Sequence, residues 1–141
     1  MSRRLTAYPK IDADSRGAGD YTPGMGLISV SGVVTGPTGI SRSVDFLVDS
    51  GAKYSLLPED VWRAIGLTPK RRMTFVLADG TRMERDISEC HIRLLEDDGH
   101  TPVILGEGGD EALLGVVTLE IFGFVLDPFN RTIRPSRLTP A

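Results

Sequence analysis

The sequence has 141 residues, of which 40% are hydrophobic and 25% charged, and its formal net charge is −3. These proportions are typical of one globular domain that buries roughly two thirds of its unfolded surface. Because the charges of both signs are interspersed, no basic surface for nucleic acid or a membrane is expected. The lone cysteine, Cys90, excludes an intrachain disulfide framework and favours a reducing compartment, the cytoplasm.

The N-terminal stretch, residues 1–25, is polar and contains several glycines and prolines. It predicts a loose arm with little regular structure, followed by a folded domain over residues 26–141. A basic cluster near its start is not followed by an apolar segment, so the pattern predicts neither a signal peptide nor a spanning helix.

The next two β-branched runs are separated by "GPTG", residues 36–39, and predict an antiparallel hairpin. In the second run Val44, Phe46 and Val48 fall on one face of the strand, because side chains alternate sides. Asp49 then leaves the strand at its end.

A short helix is predicted for "PEDVWRAIG", residues 58–66. Pro58 suits the first helical position, two acidic residues follow in the first turn, and Gly66 is a stop signal. The helix would bury its apolar residues against the domain.

The rest of the chain predicts further strands and one more short helix. Asp79-Gly80 predicts a hairpin with a type I′ turn, and residues 97–99, "DDG", predict the turn into a strand at 101–105. Residues 112–123 predict a strand end and a helix stopped at Gly123, before two final strands. The fold class is therefore mainly β, growing as a meander into a closed or folded architecture with two short helices.

The most informative motif is Asp49-Ser50-Gly51, which follows the apolar run "VDFLV". Taken alone, such a triplet is most simply a turn in which the carboxylate accepts local backbone N–H groups. Here, however, "FLVDSGA" is followed by a glycine-tipped hairpin, then by "ALLG" with a short helix, and then by "VLDP". This series resembles the retropepsin-like aspartic proteases, in particular the small bacterial single-domain members, over about residues 26–135.

The resemblance implies a closed β-barrel that acts as a homodimeric aspartic endopeptidase on extended polypeptides. Asp49 would be the catalytic carboxylate, supported by its loop neighbours Ser50, Gly51 and Ala52. The flap that closes over the peptide would be formed by Ala78, Asp79, Gly80 and Thr81. An apolar element packed beneath the site would be formed by Leu113, Leu114 and Gly115.

A symmetric dimer follows from the chemistry that the resemblance implies. Hydrolysis by two carboxylates requires them to share one proton, so that one acts as base and the other as acid. The chain has only one Asp-Ser-Gly triplet. A two-fold axis past Asp49 would supply the second carboxylate from another copy.

Other chemistries fit the sequence less well. Cys90, His91 and His100 lack the spacing of a zinc site, and no metal or cofactor is expected. An alternative function remains open, in which the dimer hydrolyses little or nothing and serves as a peptide-binding or assembly module. The charged residues Asp79 and Arg82 at the flap favour this alternative, and the intact triplet disfavours it.

Overall fold

The computed structural model describes residues 28–76 and 79–136. The predicted N-terminal arm, residues 1–25, and Ala78 of the predicted flap lie outside the described residues. The elements of the described part are β1 (Ile28–Thr35), β2 (Ser41–Val48), β3 (Ser55–Leu57), α1 (Glu59–Ala64), β4 (Arg71–Val76), β5 (Arg82–Leu94), β6 (Asp97–Leu105), β7 (Leu113–Leu114), α2 (Val116–Phe122), β8 (Phe124–Asp127) and β9 (Thr132–Pro135).

Six of these strands close into a barrel. The sheet runs β1-β2-β7-β3-β6-β5-β4, and an additional pairing of β1 with β5 closes the ring and leaves β4 as an extension of β5. This confirms the prediction of a mainly β, closed fold with two short helices. The predicted simple meander is wrong, because β2 pairs with β7 and β3 with β6 in parallel register. Parallel neighbours need crossover connections, which local sequence patterns do not reveal.

Alternation along the strands separates two apolar clusters. Val44, Phe46 and Val48 of β2 point into the barrel, as predicted, and join its main core. In β7, Leu114 enters that core, whereas Leu113 faces outward. We call the outward set the outer-face cluster; it contains Leu47, Ala52, Tyr54, Leu56, Met73, Phe75, Met83, Ile87, Ile104 and Leu113.

The two helices cover the barrel at different points. Trp62 of α1 is partly buried, and its indole N–H donates to the carbonyl oxygen of Gly106 at 2.8 Å. Helix α2 ends at Gly123, whose φ of 72° lies in the left-handed region, as the predicted stop requires. Neither helix of the described part is long and apolar enough to cross a membrane.

Two predicted turns differ in the structure. Val76 pairs with Arg82, so five residues connect β4 to β5. The predicted type I′ turn is therefore wrong, since such a turn joins two strands through a two-residue loop. The turn predicted at residues 97–99 lies earlier, because Leu94 pairs with Asp97 and places the reversal at residues 95–96.

Candidate active site

Asp49 begins a tight turn directly after β2. Its backbone N–H donates to the carbonyl oxygen of Leu114 at 3.1 Å, which fixes the end of β2 to β7. Its side-chain Oδ1 accepts the N–H of Gly51 at 2.9 Å, and its carbonyl oxygen accepts the N–H of Ala52 at 3.0 Å. Asp49 is half-buried, Ser50 and Gly51 are exposed and Ala52 is fully buried. The Asp49 carboxylate is therefore carried by a turn whose backbone is fixed by hydrogen bonds at both ends.

The segment of Leu113, Leu114 and Gly115 lies against this turn. After it, the N–H groups of Val116 and Val117 each donate at 2.9 Å to the turn, to the carbonyl oxygens of Ala52 and Lys53 respectively. A Cβ atom added at Gly115 would lie 2.5 Å from the carbonyl carbon of Tyr54. Because no side chain fits there, glycine permits this close approach of two backbones.

A buried hydroxyl network, which sequence reasoning missed, lies beneath the turn. The hydroxyl of Thr118 shares hydrogen bonds with those of Ser55 at 2.6 Å and Thr101 at 2.8 Å. The Ser55 hydroxyl oxygen also accepts the N–H of Gly115 at 3.0 Å. The network thus ties β3, β6 and α2 together under the candidate site.

The β4–β5 hairpin occupies the position predicted for the flap. At its tip, Oδ1 of Asp79 accepts hydrogen bonds from the backbone N–H and the hydroxyl of Thr81, at 2.9 and 2.5 Å. Its stem packs on the outer-face cluster, where the rings of Phe75 and Tyr54 meet edge to face with centroids 6.3 Å apart. Tyr54 follows the Asp49 turn in sequence, so the hairpin contacts the segment directly after the turn through this pair.

Charged groups hold both sides of the hairpin stem. On the exposed side Arg72 bonds Glu84 at 2.9 Å and Asp86 at 2.8 Å, and these hydrogen bonds raise the pKa of Arg72. On the other side Arg85 is only 7% exposed, and its Nη1 donates to Oε2 of Glu107 at 3.1 Å. The stem is therefore tied to the loop of residues 106–112 by a largely buried guanidinium.

The cysteine and histidine residues considered as metal ligands are arranged differently. Cys90 is buried, and desolvation raises the pKa of its thiol to about 12. His91 and His100 face each other across β5 and β6 with ring centroids 5.5 Å apart, and Nε2 of His91 lies 2.7 Å from Oδ2 of Asp98. That hydrogen bond is the main cause of the lowered pKa of Asp98. Over residues 28–76 and 79–136, no group of three or more such side chains could hold a metal ion.

The closed barrel, with its Asp-Ser-Gly turn beside a hairpin, is the architecture of a retropepsin-like protein. A family model described as "gag-polyprotein putative aspartyl protease" matches residues 40–120, which is more than half of the chain. The chain belongs to this retropepsin-like aspartyl protease family. No curated protein matches the chain significantly.

Two solved structures with low sequence identity are similar to this chain. The crystal structure of the prototype foamy virus protease-reverse transcriptase is 14% identical with a TM-score of 0.50, over 81% of this chain and 12% of that chain. A Legionella pneumophila protein of unknown function is 18% identical with a TM-score of 0.44, over 78% of this chain and 95% of that one. The chain thus spans only a small part of the foamy virus protein, and that likeness concerns the fold alone.

Proposed function

We propose that this chain is a homodimeric aspartic endopeptidase that hydrolyses peptide bonds in extended polypeptides, with one Asp49 from each subunit. The observation that carries the proposal is the Asp49 turn. This chain of the aspartyl protease family carries the half-buried Asp49 carboxylate on a turn that is hydrogen-bonded to β7. The turn lies beside the outer-face cluster, to which Leu47 and Ala52 belong.

The proposed mechanism uses the two carboxylates in complementary protonation states. Two carboxyl groups in contact cannot both ionise easily, so the pair holds one proton near the operating pH. The ionised Asp49 takes a proton from water as the water oxygen bonds to the peptide carbon, and the protonated Asp49 gives its proton to the carbonyl oxygen. Collapse of this tetrahedral diol breaks the C–N bond: the Asp49 that took the proton from water gives it to the nitrogen, which leaves as the amine. The other Asp49 takes a proton from a diol hydroxyl as the carboxylic acid forms, so the pair again holds one proton.

The supporting residues have roles that fit their positions. Gly51 lets a backbone N–H reach the Asp49 carboxylate, and the exposed Ser50 hydroxyl would brace the two turns across the two-fold axis. Gly115 allows the segment beneath to approach the turn closely. The hairpin tip at residues 78–81 would close over the peptide and pair with its backbone.

We propose that the subunits meet through the C-terminal hairpin. Strands β8 and β9 form a separate two-stranded sheet, which is marginally stable by itself in water. This hairpin exposes Val125 and Phe129, the latter 96% exposed. A second copy would cover these apolar side chains and extend the small sheet.

The test compares the wild type with Asp49→Asn on a diverse peptide library between acidic and neutral pH, after sedimentation has shown both to be dimers. We expect the substitution to lower kcat/KM roughly 10²- to 10⁴-fold, because the amide cannot exchange the proton. Asp97→Asn, which removes an exposed carboxylate at the β5–β6 turn, is the matched control and should retain cleavage.

The alternative, a dimer that binds peptides with little hydrolysis, is favoured by the hairpin tip. There the charged side chain of Asp79 is engaged with Thr81 of the same turn. If the wild type and Asp49→Asn are both dimeric and neither cuts any peptide, the peptidase proposal fails. A peptide retained by the dimer under those conditions would support the binding function.

A further inference from the structure

A buried arginine lies in the apolar surface that flanks the Asp49 turn. Arg85 of β5 is only 7% exposed, and alternation along the strand places it on the same face as Met83 and Ile87 of the outer-face cluster. Its partner across the hairpin stem is Met73, which belongs to the same cluster. A guanidinium is therefore embedded among apolar side chains beside the candidate active site.

The hydrogen bonds of Arg85 use only part of its guanidinium. Nη1 donates to Oε2 of Glu107 at 3.1 Å, whereas Nε is buried and has no hydrogen-bond partner among the described residues. The N–H donors of an arginine form a planar fork, and one edge of that fork joins Nε to a terminal nitrogen. With such an edge an arginine can bind both oxygens of one carboxylate. The Nε edge of Arg85 is therefore suited to a second carboxylate besides that of Glu107.

A structural role alone does not explain why an arginine is buried at this position. The side chain of Glu107 is 65% exposed, and its one hydrogen bond offsets only part of the hydration that a buried guanidinium loses. An apolar side chain of similar size would pack on the outer-face cluster without that cost. Buried polar atoms without a partner are few in native structures, and a binding or catalytic role is one explanation for them. A ligand that supplies an acceptor to Nε accounts for the arginine.

The place of Arg85 relative to the proposed peptide path indicates what this ligand is. The outer-face cluster extends from Ala52 of the Asp49 turn to the stem of the β4–β5 hairpin, where the rings of Tyr54 and Phe75 meet. Under the proposed function the hairpin closes over the peptide. A peptide held between the Asp49 turn and the hairpin therefore lies along the surface that contains Arg85.

We propose that Arg85 binds a carboxylate group of the substrate and thereby determines which peptides are cut. The inference rests on the proposed peptidase function and gives it a substrate class, polypeptides with a carboxylate a few residues from the scissile bond. That carboxylate belongs to a glutamate or aspartate side chain or to the C-terminus of a short peptide. When the hairpin rises to admit the peptide, Arg85 moves away from the loop of residues 106–112 and the exposed Glu107 side chain turns into water. The Nε edge then receives the carboxylate of the substrate.

The experiment starts from a peptide that the wild type cleaves, and kcat/KM is measured for the full chain. Each residue near the scissile bond is replaced in turn by glutamate, aspartate and their neutral matches, glutamine and asparagine. The same peptide is also compared with a free and with an amidated C-terminus. At one position, or at the free C-terminus, we expect the carboxylate to raise kcat/KM at least about tenfold over its neutral match, the effect of a hydrogen bond between charged groups.

Three variants, each shown by circular dichroism to be folded at the assay temperature, test the assignment to Arg85. In Arg85→Met the preference for the carboxylate should fall to within about twofold, because the donor is lost. Arg72→Met is the matched control and should keep the wild-type preference, because it removes an exposed guanidinium of the same stem, bonded to Glu84 and Asp86. Glu107→Gln should raise the preference about two- to fivefold, because the substrate no longer competes with a charged partner of Arg85.

Two results would overturn the proposal: no carboxylate is preferred over its neutral match, or Arg85→Met keeps the preference. The wild type still cuts peptides in both cases, whereas failure of the peptidase function itself would leave every peptide uncut. In that event the binding of acidic peptides and their neutral matches to Asp49→Asn, followed by fluorescence anisotropy, decides the role of Arg85. Binding of the acidic peptide that is about tenfold tighter, and is lost when Arg85→Met is added, supports the proposal; equal binding or none overturns it.

Discussion

Thr118 lies at the centre of the buried hydroxyl network beneath the Asp49 turn. Its hydroxyl has two partners, Ser55 and Thr101, and all three residues are almost fully buried. Because a hydroxyl can donate one hydrogen bond and accept others, the chain of three can be satisfied without water. Removal of the Thr118 hydroxyl takes one hydrogen-bond partner from each of two buried hydroxyls, those of Ser55 and Thr101.

We expect Thr118→Val to reduce the free energy of unfolding by about 1–3 kcal/mol, the cost of stranding buried polar groups. The measurement is urea unfolding at neutral pH. Thr35→Val is the matched control, because Thr35 makes a similar hydroxyl pair with Ser41, 2.7 Å apart, on the exposed surface. Equal losses in the two variants would contradict this account of the network.

Residue patterns predicted the position of Asp49 but not what lies beneath it. Alternation along β2 and the change from apolar to small polar residues place Asp49 at a strand end, which is a local property. Ser55 and Thr118 are 63 residues apart in sequence. Hydroxyl residues carry no periodic signal, so their meeting depends on the parallel crossovers.

At the scale of elements, the β4–β5 hairpin depends on an ion pair between a buried and an exposed side chain. Arg85 in β5 is 7% exposed, whereas the side chain of Glu107 is 65% exposed. The Nε of Arg85 is also buried and has no hydrogen-bond partner among the described residues. A buried charge that loses its counter-charge is costly, but replacement of the charge itself by an apolar group of similar size is often neutral.

We therefore expect Glu107→Ala to lower the unfolding midpoint more than Arg85→Met does, although Glu107 is the exposed partner. Chemical denaturation of both single variants and of the double variant measures the order. In the double variant, the loss caused by Glu107→Ala should largely disappear, because no buried charge remains. A lower unfolding midpoint for Arg85→Met than for Glu107→Ala would contradict this prediction. It would show that the packing of the Arg85 guanidinium stabilises the protein by more than the burial of its charge costs.

The elements that the sequence predicted are those with local signals. The β1–β2 hairpin, both helices and the final two strands follow from turn residues and apolar periodicity within short windows. The three-residue strand β3 has too few residues to show a period, and its partners β6 and β7 are distant in sequence. The β5–β6 turn was misplaced because Leu95, with φ 55°, occupies a conformation that leucine rarely adopts.

At the scale of the whole molecule, closure of the barrel seals Cys90 inside. Its side chain is 3% exposed, and burial raises the pKa of its thiol to about 12, so the reactive thiolate is almost absent at neutral pH. Since Cys90 is the only cysteine, its reactivity reports on opening of the barrel as a unit.

We expect labelling of Cys90 by a disulfide reagent at pH 8 to be at least about 100-fold slower in the native protein than in guanidinium, where the thiol has its ordinary pKa. The reaction is followed by the absorbance of the coloured thiolate that the reagent releases. Thr118→Val should accelerate native labelling in proportion to its loss of stability, because opening precedes the reaction. Rapid labelling of the native wild type would mean that the barrel opens locally around β5.

The parallel pairings also set the order in which the protein can assemble as it is synthesised. Asp49 and Ala52 are held to Leu114 and Val116, and β3 is held to β6, so the long-range partners of this region lie beyond residue 100. Contacts so distant in sequence form late, because a long loop must close first. A ribosome-bound chain lacking its last third therefore lacks the residues that fix the Asp49 turn to the barrel, so the candidate site is completed late in folding.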